Sequence, residues 1–168
     1  NFFRISLSKG HEWISIEQEF DHVRSYLTIQ KIRYRDVLDY EINFDEKLVG
    51  MKVLKLILQP MVENAIYHGI KNKRGRGNIV VSAKAIENNE VYFSVEDNGI
   101  GFTEERLNDV LSELKDSSNP ENLKSVYGLY NVNKRLKLYY NDQVNLTINS
   151  EYGKGTCVSF CIPYRPME

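Results

Sequence analysis

Long apolar runs are missing from this sequence of 168 residues. No stretch approaches the roughly 20 consecutive apolar residues that a membrane-spanning helix needs, and we expect no signal peptide in the first residues given. An excess of one charge is missing too, because 22 Lys and Arg residues are balanced by 23 Asp and Glu residues. With a net charge of −1, the protein has no overall positive potential that would attract phosphate-rich partners. We therefore expect no nucleic-acid partner, and we interpret the basic segment KNKRGRG (residues 71–77) as a solvated loop.

Cysteine is also scarce, with only Cys157 and Cys161 in the sequence. They lie four residues apart in a strand pattern, hence on one face, and cannot form a zinc site without ligands from elsewhere. We interpret them as buried thiols of a protein in a reducing cytoplasm. What is plentiful is apolar and charged side chains, at 42% and 27% of the residues. This composition predicts an ordinary globular domain with a substantial core.

The N-terminal part carries a helical pattern. Residues 15–18, Ser-Ile-Glu-Gln, have the spacing of a capping box, and the helix is predicted to continue to about residue 37. Apolar residues alternate at four- and three-residue spacing, which predicts the seam of a helical bundle or coiled coil; the alternative is a helix packed on its own domain. These residues are Ile16, Phe20, Val23, Leu27, Tyr34 and Val37. A boundary is predicted near Asp39, which separates residues 1–38 from a second domain, 39–168.

The second domain is predicted to mix helices and strands without a repeated βαβ rhythm. This pattern favours an α+β fold, a two-layer sandwich in which helices cover one face of a mixed, mostly antiparallel sheet. Strands are predicted at residues 40–44, 79–86, 91–96, 143–150 and 156–162, helices at about 52–67 and 127–140, and a variable stretch at 103–125.

The segment VEDNGIGF (residues 95–102) follows an alternating apolar run. Asp97 and Gly99 fit a hairpin turn, because both residue types are common where the chain reverses. A turn alone does not explain Gly101 or the apolar residues on either side of it. The alternative is that the glycines let the backbone approach a ligand while Asp97 points into an apolar slot.

The segment LQPMVENAIYHGI (residues 58–70) is predicted to be helical. Asn64 and His68 are four residues apart and fall on one side of such a helix. An amide oxygen is a ligand that suits Mg²⁺, which keeps waters and substrate phosphates as its other ligands. The alternatives are an ordinary surface or cap asparagine and a histidine that ends the helix beside Gly69.

Two further segments contain glycines at element starts. Gly128 opens the amphipathic helix YGLYNVNKRLKLYY (residues 127–140), where unpaired N–H groups could bind an anion. In YGKGTCVSF (residues 152–160) a glycine turn leads into a strand that begins at Thr156. Taken singly, each segment is compatible with a turn or core role.

In this order, the four segments resemble the ATP-binding domain shared by sensor histidine kinases and gyrase-type ATPases. The resemblance covers residues 58–162, and its most specific motif is DNGIG. The helical sequence of residues 15–36, together with QPMVENAIYHGI, is similar to bacterial two-component sensor kinases whose catalytic part follows a transmembrane sensor. The sequence is therefore identified as a member of that family, with ATP and Mg²⁺ as its cofactors.

The resemblance implies roles for residues at the phosphate end. Asn64 would bind the Mg²⁺ that bridges the ATP phosphates, with His68 close by. Gly128 and Leu129 would lie at the phosphates, below a mobile lid formed by residues 103–126.

At the base end, Asp97 would accept a hydrogen bond from the adenine amino group. Gly99 and Gly101 would keep the backbone clear of the base and ribose, and Ile100 would form a wall beside the base. Thr156 would support the adenine end through Asp97.

Three residues depart from the family pattern. Val126 replaces the first glycine of a glycine-X-glycine pair, and Tyr67 stands where a lysine is common. Because of these two departures, a nucleotide-sensing module that does not transfer phosphate remains an alternative function. Pro60 replaces the carboxylate with which gyrase-type enzymes activate water, which favours phosphotransfer over hydrolysis.

The accepting histidine of this subfamily belongs to an earlier helix whose sequence is absent here. His11 and His22 lie in polar surroundings and are interpreted as surface residues. We therefore expect residues 1–38 to be the C-terminal part of a dimerisation region, and the fragment not to phosphorylate itself. The resemblance implies a homodimeric full-length sensor, a response regulator as partner, and a cytoplasmic domain attached to a membrane only through segments outside this sequence.

Overall fold

A five-stranded sheet and the helices packed on it form the core of the computed structural model, which describes residues 12–71, 73, 75–115 and 127–167. The strands are β1 (Trp13–Ser15), β2 (Leu38–Phe44), β3 (Lys52–Leu54), β4 (Gly77–Ile86), β5 (Glu90–Asp97), β6 (Thr147–Glu151) and β7 (Gly155–Pro163). The helices are α1 (Ile16–Arg33), α2 (Gln59–Asn64), α3 (Glu104–Lys115) and α4 (Tyr127–Tyr139), with a 3₁₀ turn at Glu46–Leu48 and a π-helical turn at Ala65–Ile70.

The main sheet has the strand order β2-β4-β5-β7-β6. Only the β2–β4 pair is parallel, and β4–β5, β5–β7 and β6–β7 are antiparallel. Alternate side chains of the central strands are buried, and the rings of Phe93 and Phe160 stack with centroids 5.0 Å apart. Lys84 and Glu96 lie on the opposite, exposed face. The predicted α+β sandwich with a mixed, mostly antiparallel sheet is confirmed.

Helix α1 begins with the predicted capping box, in which Ser15 and Gln18 satisfy each other's backbone N–H groups. It ends at Arg33, short of the predicted residue 37. Ile16, Phe20, Val23 and Leu27 are buried within the chain, so the predicted bundle seam is wrong for these positions. The reason is the aromatic core, since the ring of Phe20 lies 5.4 Å from that of Phe44 and 6.5 Å from that of Phe93.

The helix predicted at residues 52–67 is wrong over its first half. Lys52–Leu54 forms a short strand that pairs with Trp13–Ser15, and neither strand was predicted. Leu56 has a φ of 57°, a conformation that ends regular structure. The helix therefore begins only at Gln59, with Pro60 in its first turn, where the missing N–H is tolerated.

The predicted variable stretch and lid include α3, and residues 116–126, including Val126, lie outside the described residues. His11 also lies outside them. The strand predicted from residue 143 begins only at Thr147. The two cysteines are free and half-buried on the outer face of β7, so they are not the buried thiols that we predicted.

Among the described helices, none combines the length and apolarity needed to cross a bilayer.

Candidate nucleotide site

Asp97 lies at the end of β5 and is only 5% exposed. Its Oδ1 accepts a hydrogen bond of 2.8 Å from the backbone N–H of Gly99, and the backbone N–H of Thr156 also donates to the carboxylate. Burial raises the pKa of Asp97 to about 6, although these two hydrogen bonds act in the opposite direction. A buried carboxylate with an elevated pKa is typical of a functional site.

Thr156 stands directly beside Asp97, because the two residues are partners in the β5–β7 register. Its Oγ1 lies 2.8 Å from Oγ of Ser150 on β6. The Ser150 hydroxyl also lies 3.1 Å from the Gly155 carbonyl oxygen and accepts from the Phe102 N–H at 2.7 Å. If the Ser150 hydroxyl donates its single proton to the Gly155 carbonyl, the Thr156 hydroxyl must be the donor in its bond to Ser150. The lone pairs of Thr156 Oγ1 then take no part in that bond. The sequence pattern did not single out Ser150, which joins Thr156 to the glycine loop.

The glycines beside Asp97 permit two segments of backbone to touch. A Cβ on Gly69 would lie 2.5 Å from Oδ1 of Asp97, and a Cβ on Gly99 would collide with the backbone of Gly69. Gly101 has a φ of 71°, and a Cβ there would collide with the carbonyl oxygen of Glu151. The structure thus gives Gly99 and Gly101 packing reasons beyond the predicted clearance for the base. It also makes Gly69, read from sequence only as a helix end, part of the Asp97 environment.

Asn64 is the last residue of α2 and is 9% exposed. Its side chain makes no cap hydrogen bond to the π-helical turn that follows. In that turn, the N–H of Lys71 bonds to the carbonyl of Ile66 at 2.9 Å, a five-residue spacing that is frequent at functional sites. A nearly buried amide that does not cap the next turn fits a metal or phosphate ligand.

Magnesium would need other ligands besides Asn64. Within the described residues, no group of three or more His, Cys, Asp or Glu side chains could hold a metal ion. Mg²⁺ commonly binds one or two protein groups and completes its octahedron with waters and nucleotide phosphates. Asn64 therefore fits a site in which the nucleotide supplies part of the coordination.

His68 lies beside the glycine loop. Its ring centroid is 6.5 Å from that of Phe102. Both residues line a pocket of about 290 Å³ with Ile100, Gly101, Thr103, Arg106 and Tyr152. A second pocket, of about 400 Å³, is lined by Asp97 and Thr156 together with Glu96 and Cys157 of the outer sheet face, among others. The structure thus brings the predicted residues His68, Ile100 and Gly101 together at one pocket, and Asp97 and Thr156 at the other.

The start of α4 packs against the start of α2. A Cβ on Gly128 would lie 3.5 Å from Cβ of Pro60, which is ordinary contact. Leu129 is 1% exposed and belongs to the core. Only the backbone of Leu129 is thus suited to an anion, since its side chain is buried among apolar residues.

The sequence matches two known families. Residues 51–166 match the family of histidine kinase-, DNA gyrase B- and HSP90-like ATPases. Residues 1–38 match the histidine kinase family. The first match alone covers more than half of the chain.

Among curated proteins, YwpD of Bacillus subtilis is 38% identical over 148 residues, which are 88% of this chain and 49% of YwpD. The sensor protein LytS of the same species is 32% identical over 168 residues, 99% of this chain and 28% of LytS. Its sensor histidine kinase YesM is 30% identical over 162 residues, 96% of this chain and 26% of YesM. The chain thus spans about a quarter to a half of the length of these relatives.

Solved structures show the same fold at low identity. The catalytic domain of histidine kinase ThkA superposes with a TM-score of 0.65 at 14% identity, covering 92% of this chain and 96% of that one. Full-length ShkA in complex with AMPPNP gives a TM-score of 0.63 at 18% identity, covering 92% and 31%. The chain belongs to the family of histidine kinase-, DNA gyrase B- and HSP90-like ATPases, as the catalytic ATP-binding domain of a sensor histidine kinase.

Proposed function

We propose that this domain binds Mg-ATP and presents the γ-phosphate to a histidine outside this chain. The observation that carries the proposal is the Asp97 carboxylate, which is buried beside Thr156 and Gly69 and accepts hydrogen bonds from backbone N–H groups. A buried acceptor at such a position selects a ligand that donates a hydrogen bond, and the adenine amino group is such a donor.

Asn64 would hold Mg²⁺ at the phosphate end, where the ion neutralises charge on the transferring group when it is bound. His68, the N-terminal backbone of α4 at Gly128 and Leu129, and the pocket wall at Ile100 would position the nucleotide. Phosphoryl transfer depends mainly on such positioning and on electrostatic stabilisation. The residues of this chain therefore need to orient ATP and to prevent unproductive orientations of the nucleotide.

We infer that residues 1–38 are the C-terminal part of the dimerisation region and residues 39–168 the catalytic domain. The match of residues 1–38 to the histidine kinase family supports this division. The full-length protein would be a homodimeric sensor that signals to a response regulator. The names of LytS and YesM support a sensor role. We propose that the kinase domain is cytoplasmic and attached to a membrane by segments outside this chain.

Phosphotransfer can be tested with γ-labelled ATP, Mg²⁺, this chain and a separately produced helical hairpin that carries the acceptor histidine of the full-length protein. We expect label on the hairpin, labile in acid and stable in base, and none on the chain incubated alone. Stoichiometric acid-labile label on the chain alone would contradict the assignment of the acceptor outside it.

The same assay distinguishes the two alternatives. ATP binding without label on the hairpin would favour a nucleotide-sensing module. Release of ADP in the absence of any acceptor would favour a gyrase-type ATPase, and Pro60 in place of the activating carboxylate predicts that release to be negligible.

A further inference from the structure

Glu19 of α1 is a charged residue that is 0% exposed. Its Oε2 accepts from the backbone N–H of Leu56 at 2.9 Å, and its Oε1 accepts from those of Ile57 and Leu58 at 2.9 and 3.1 Å. A buried carboxylate is costly unless it is hydrogen-bonded, and three backbone donors meet that requirement. Burial raises the pKa of Glu19, and the three donors counteract the shift.

These three donors immediately precede the helix that carries Asn64. Leu58 is the N-cap residue of α2 and has no side-chain cap of its own, so Glu19 takes the place of a local cap. Leu56 has a φ of 57°, which is unfavourable for leucine and persists only where surrounding contacts impose it. The Glu19 carboxylate supplies such contacts.

Arg135 of α4 holds the same turn from the other side. Its Nη2 donates to the carbonyl of Lys55 at 2.8 Å and its Nη1 to that of Leu56 at 3.3 Å. The charge of Glu19 raises the pKa of Arg135, against the lowering that burial causes. One turn of chain is therefore fixed by a carboxylate through its N–H groups and by a guanidinium through its carbonyls.

The start of α1 is joined to the rest of this segment as well. Glu17 Oε1 accepts from the Gly50 N–H at 2.9 Å, and the N–H of Ile16 donates to the Met51 carbonyl at 2.9 Å. Immediately before α1, β1 pairs with β3. A shift of the start of α1 would thus pull on the whole segment from residue 50 to the beginning of α2.

We propose that Glu19 is a positioning residue that sets the orientation of α2, so that the placement of α1 controls how Asn64 meets the Mg²⁺ of the bound nucleotide. This inference rests on the proposed function of the site. Asp97 and Thr156 belong to the sheet and make none of these contacts. Loss of Glu19 should therefore weaken the metal-dependent part of ATP binding and spare the metal-independent part.

The test compares Glu19→Gln with the unmodified chain by calorimetry, using ATP with Mg²⁺ and ATP with a chelator. We expect roughly tenfold weaker binding of Mg-ATP, as for other changes in groups that orient a metal ligand, and less than about a twofold change with the chelator. Amide hydrogen exchange at residues 56–58 should accelerate. Asp21→Asn is the matched control, since Asp21 lies two residues further along α1 but is exposed to solvent, and it should change neither affinity by more than about twofold.

Arg135→Met is a second variant that releases the same turn from α4, and it should reproduce the selective loss if Glu19→Gln does not fold. Equal losses of ATP affinity with and without Mg²⁺ would show that Glu19 has a purely structural role. Unchanged affinities would show that Glu19 does not influence the nucleotide site. Failure of the unmodified chain to bind ATP would instead contradict the proposed function, so the two failures are distinguishable.

Discussion

The two ends of the candidate site are held in different ways. At the sheet end, Asp97, Thr156 and Ser150 stand side by side on three strands whose backbone ladder fixes their positions. At the helix end, the turn before Asn64 is held by single side chains from α1 and α4. We expect the ladder to tolerate the loss of one side chain, and the turn held by Glu19 and Arg135 to loosen when either is removed. Substitutions at the sheet end should therefore change ligand binding without moving the fold, and those at the helix end should change both.

The largest effect should come from Asp97→Asn. Removing the charged acceptor should weaken ATP binding by about 1–3 kcal/mol, roughly 5- to 150-fold, and should abolish the preference for ATP over GTP. Calorimetry with both nucleotides measures this. Asp142→Asn is the control, because Asp142 is an exposed carboxylate in the connection between α4 and β6. Unchanged ATP affinity in Asp97→Asn would show that Asp97 does not recognise the adenine base.

The same variant should not unfold the domain. The pKa of Asp97 is raised on folding from 3.8 to about 6, so the contribution of this group to stability is present at low pH and is lost as the pH rises through 6. At pH 8 the neutral Asp97→Asn side chain should leave the unfolding temperature equal or higher. A marked fall in the unfolding temperature would contradict the view that the sheet end is held independently of the Asp97 side chain.

Gly69→Ala should break the contact between the two ends. The added Cβ meets the Asp97 carboxylate, and we expect a loss of about 1–3 kcal/mol in the free energy of unfolding, as for other overpacked sites. ATP affinity should fall with it. Gly128→Ala is the matched control for stability, since its Cβ makes only ordinary contact with Pro60 and alanine favours a helix. Equal unfolding midpoints in denaturant for the two variants would show that the Gly69 contact is relaxed in solution.

Asn64→Ala should weaken ATP binding about tenfold when Mg²⁺ is present and little when it is chelated, because the amide is assigned to the metal. Titrations in both media measure the difference. Equal losses in the two media would place Asn64 outside the metal shell.

The smallest effect concerns pH. With a pKa of about 6, Asp97 is mostly ionised at pH 7.5 and mostly protonated at pH 5.5, so ATP affinity should fall about fourfold over that interval. Asp97→Asn should lack this component. An identical pH profile in both proteins would assign the titration to another group.

Sequence reasoning predicted the sheet end better than the helix end. Alternating apolar residues indicated β4, β5 and β7, and the DNGIG motif indicated a loop with unusual backbone demands, since local patterns and turn chemistry carry these signals. The packing of Gly69 on Asp97 was missed, because it joins residues from two separate elements. Ser150 was missed for the same reason.

At the helix end, the pattern of residues 52–67 suggested one helix because its apolar spacing is ambiguous. The strand Lys52–Leu54 exists through pairing with Trp13–Ser15, and the positive φ of Leu56 is imposed by contacts from Glu19 and Arg135. The apolar spacing of α1 likewise fits both a bundle seam and the packing on Phe44 and Phe93 that the structure shows. Tertiary contacts decided each of these cases, and local sequence does not encode them.

The central claim is that this domain binds one Mg-ATP, reads adenine and uses the metal. The most direct measurement is calorimetric titration of the unmodified chain with ATP and GTP, each with Mg²⁺ and with a chelator. We expect one ATP per chain in the presence of Mg²⁺, with weaker binding both of GTP and of ATP without the metal. Absence of binding to Mg-ATP, or equal affinity for ATP and GTP, would contradict it.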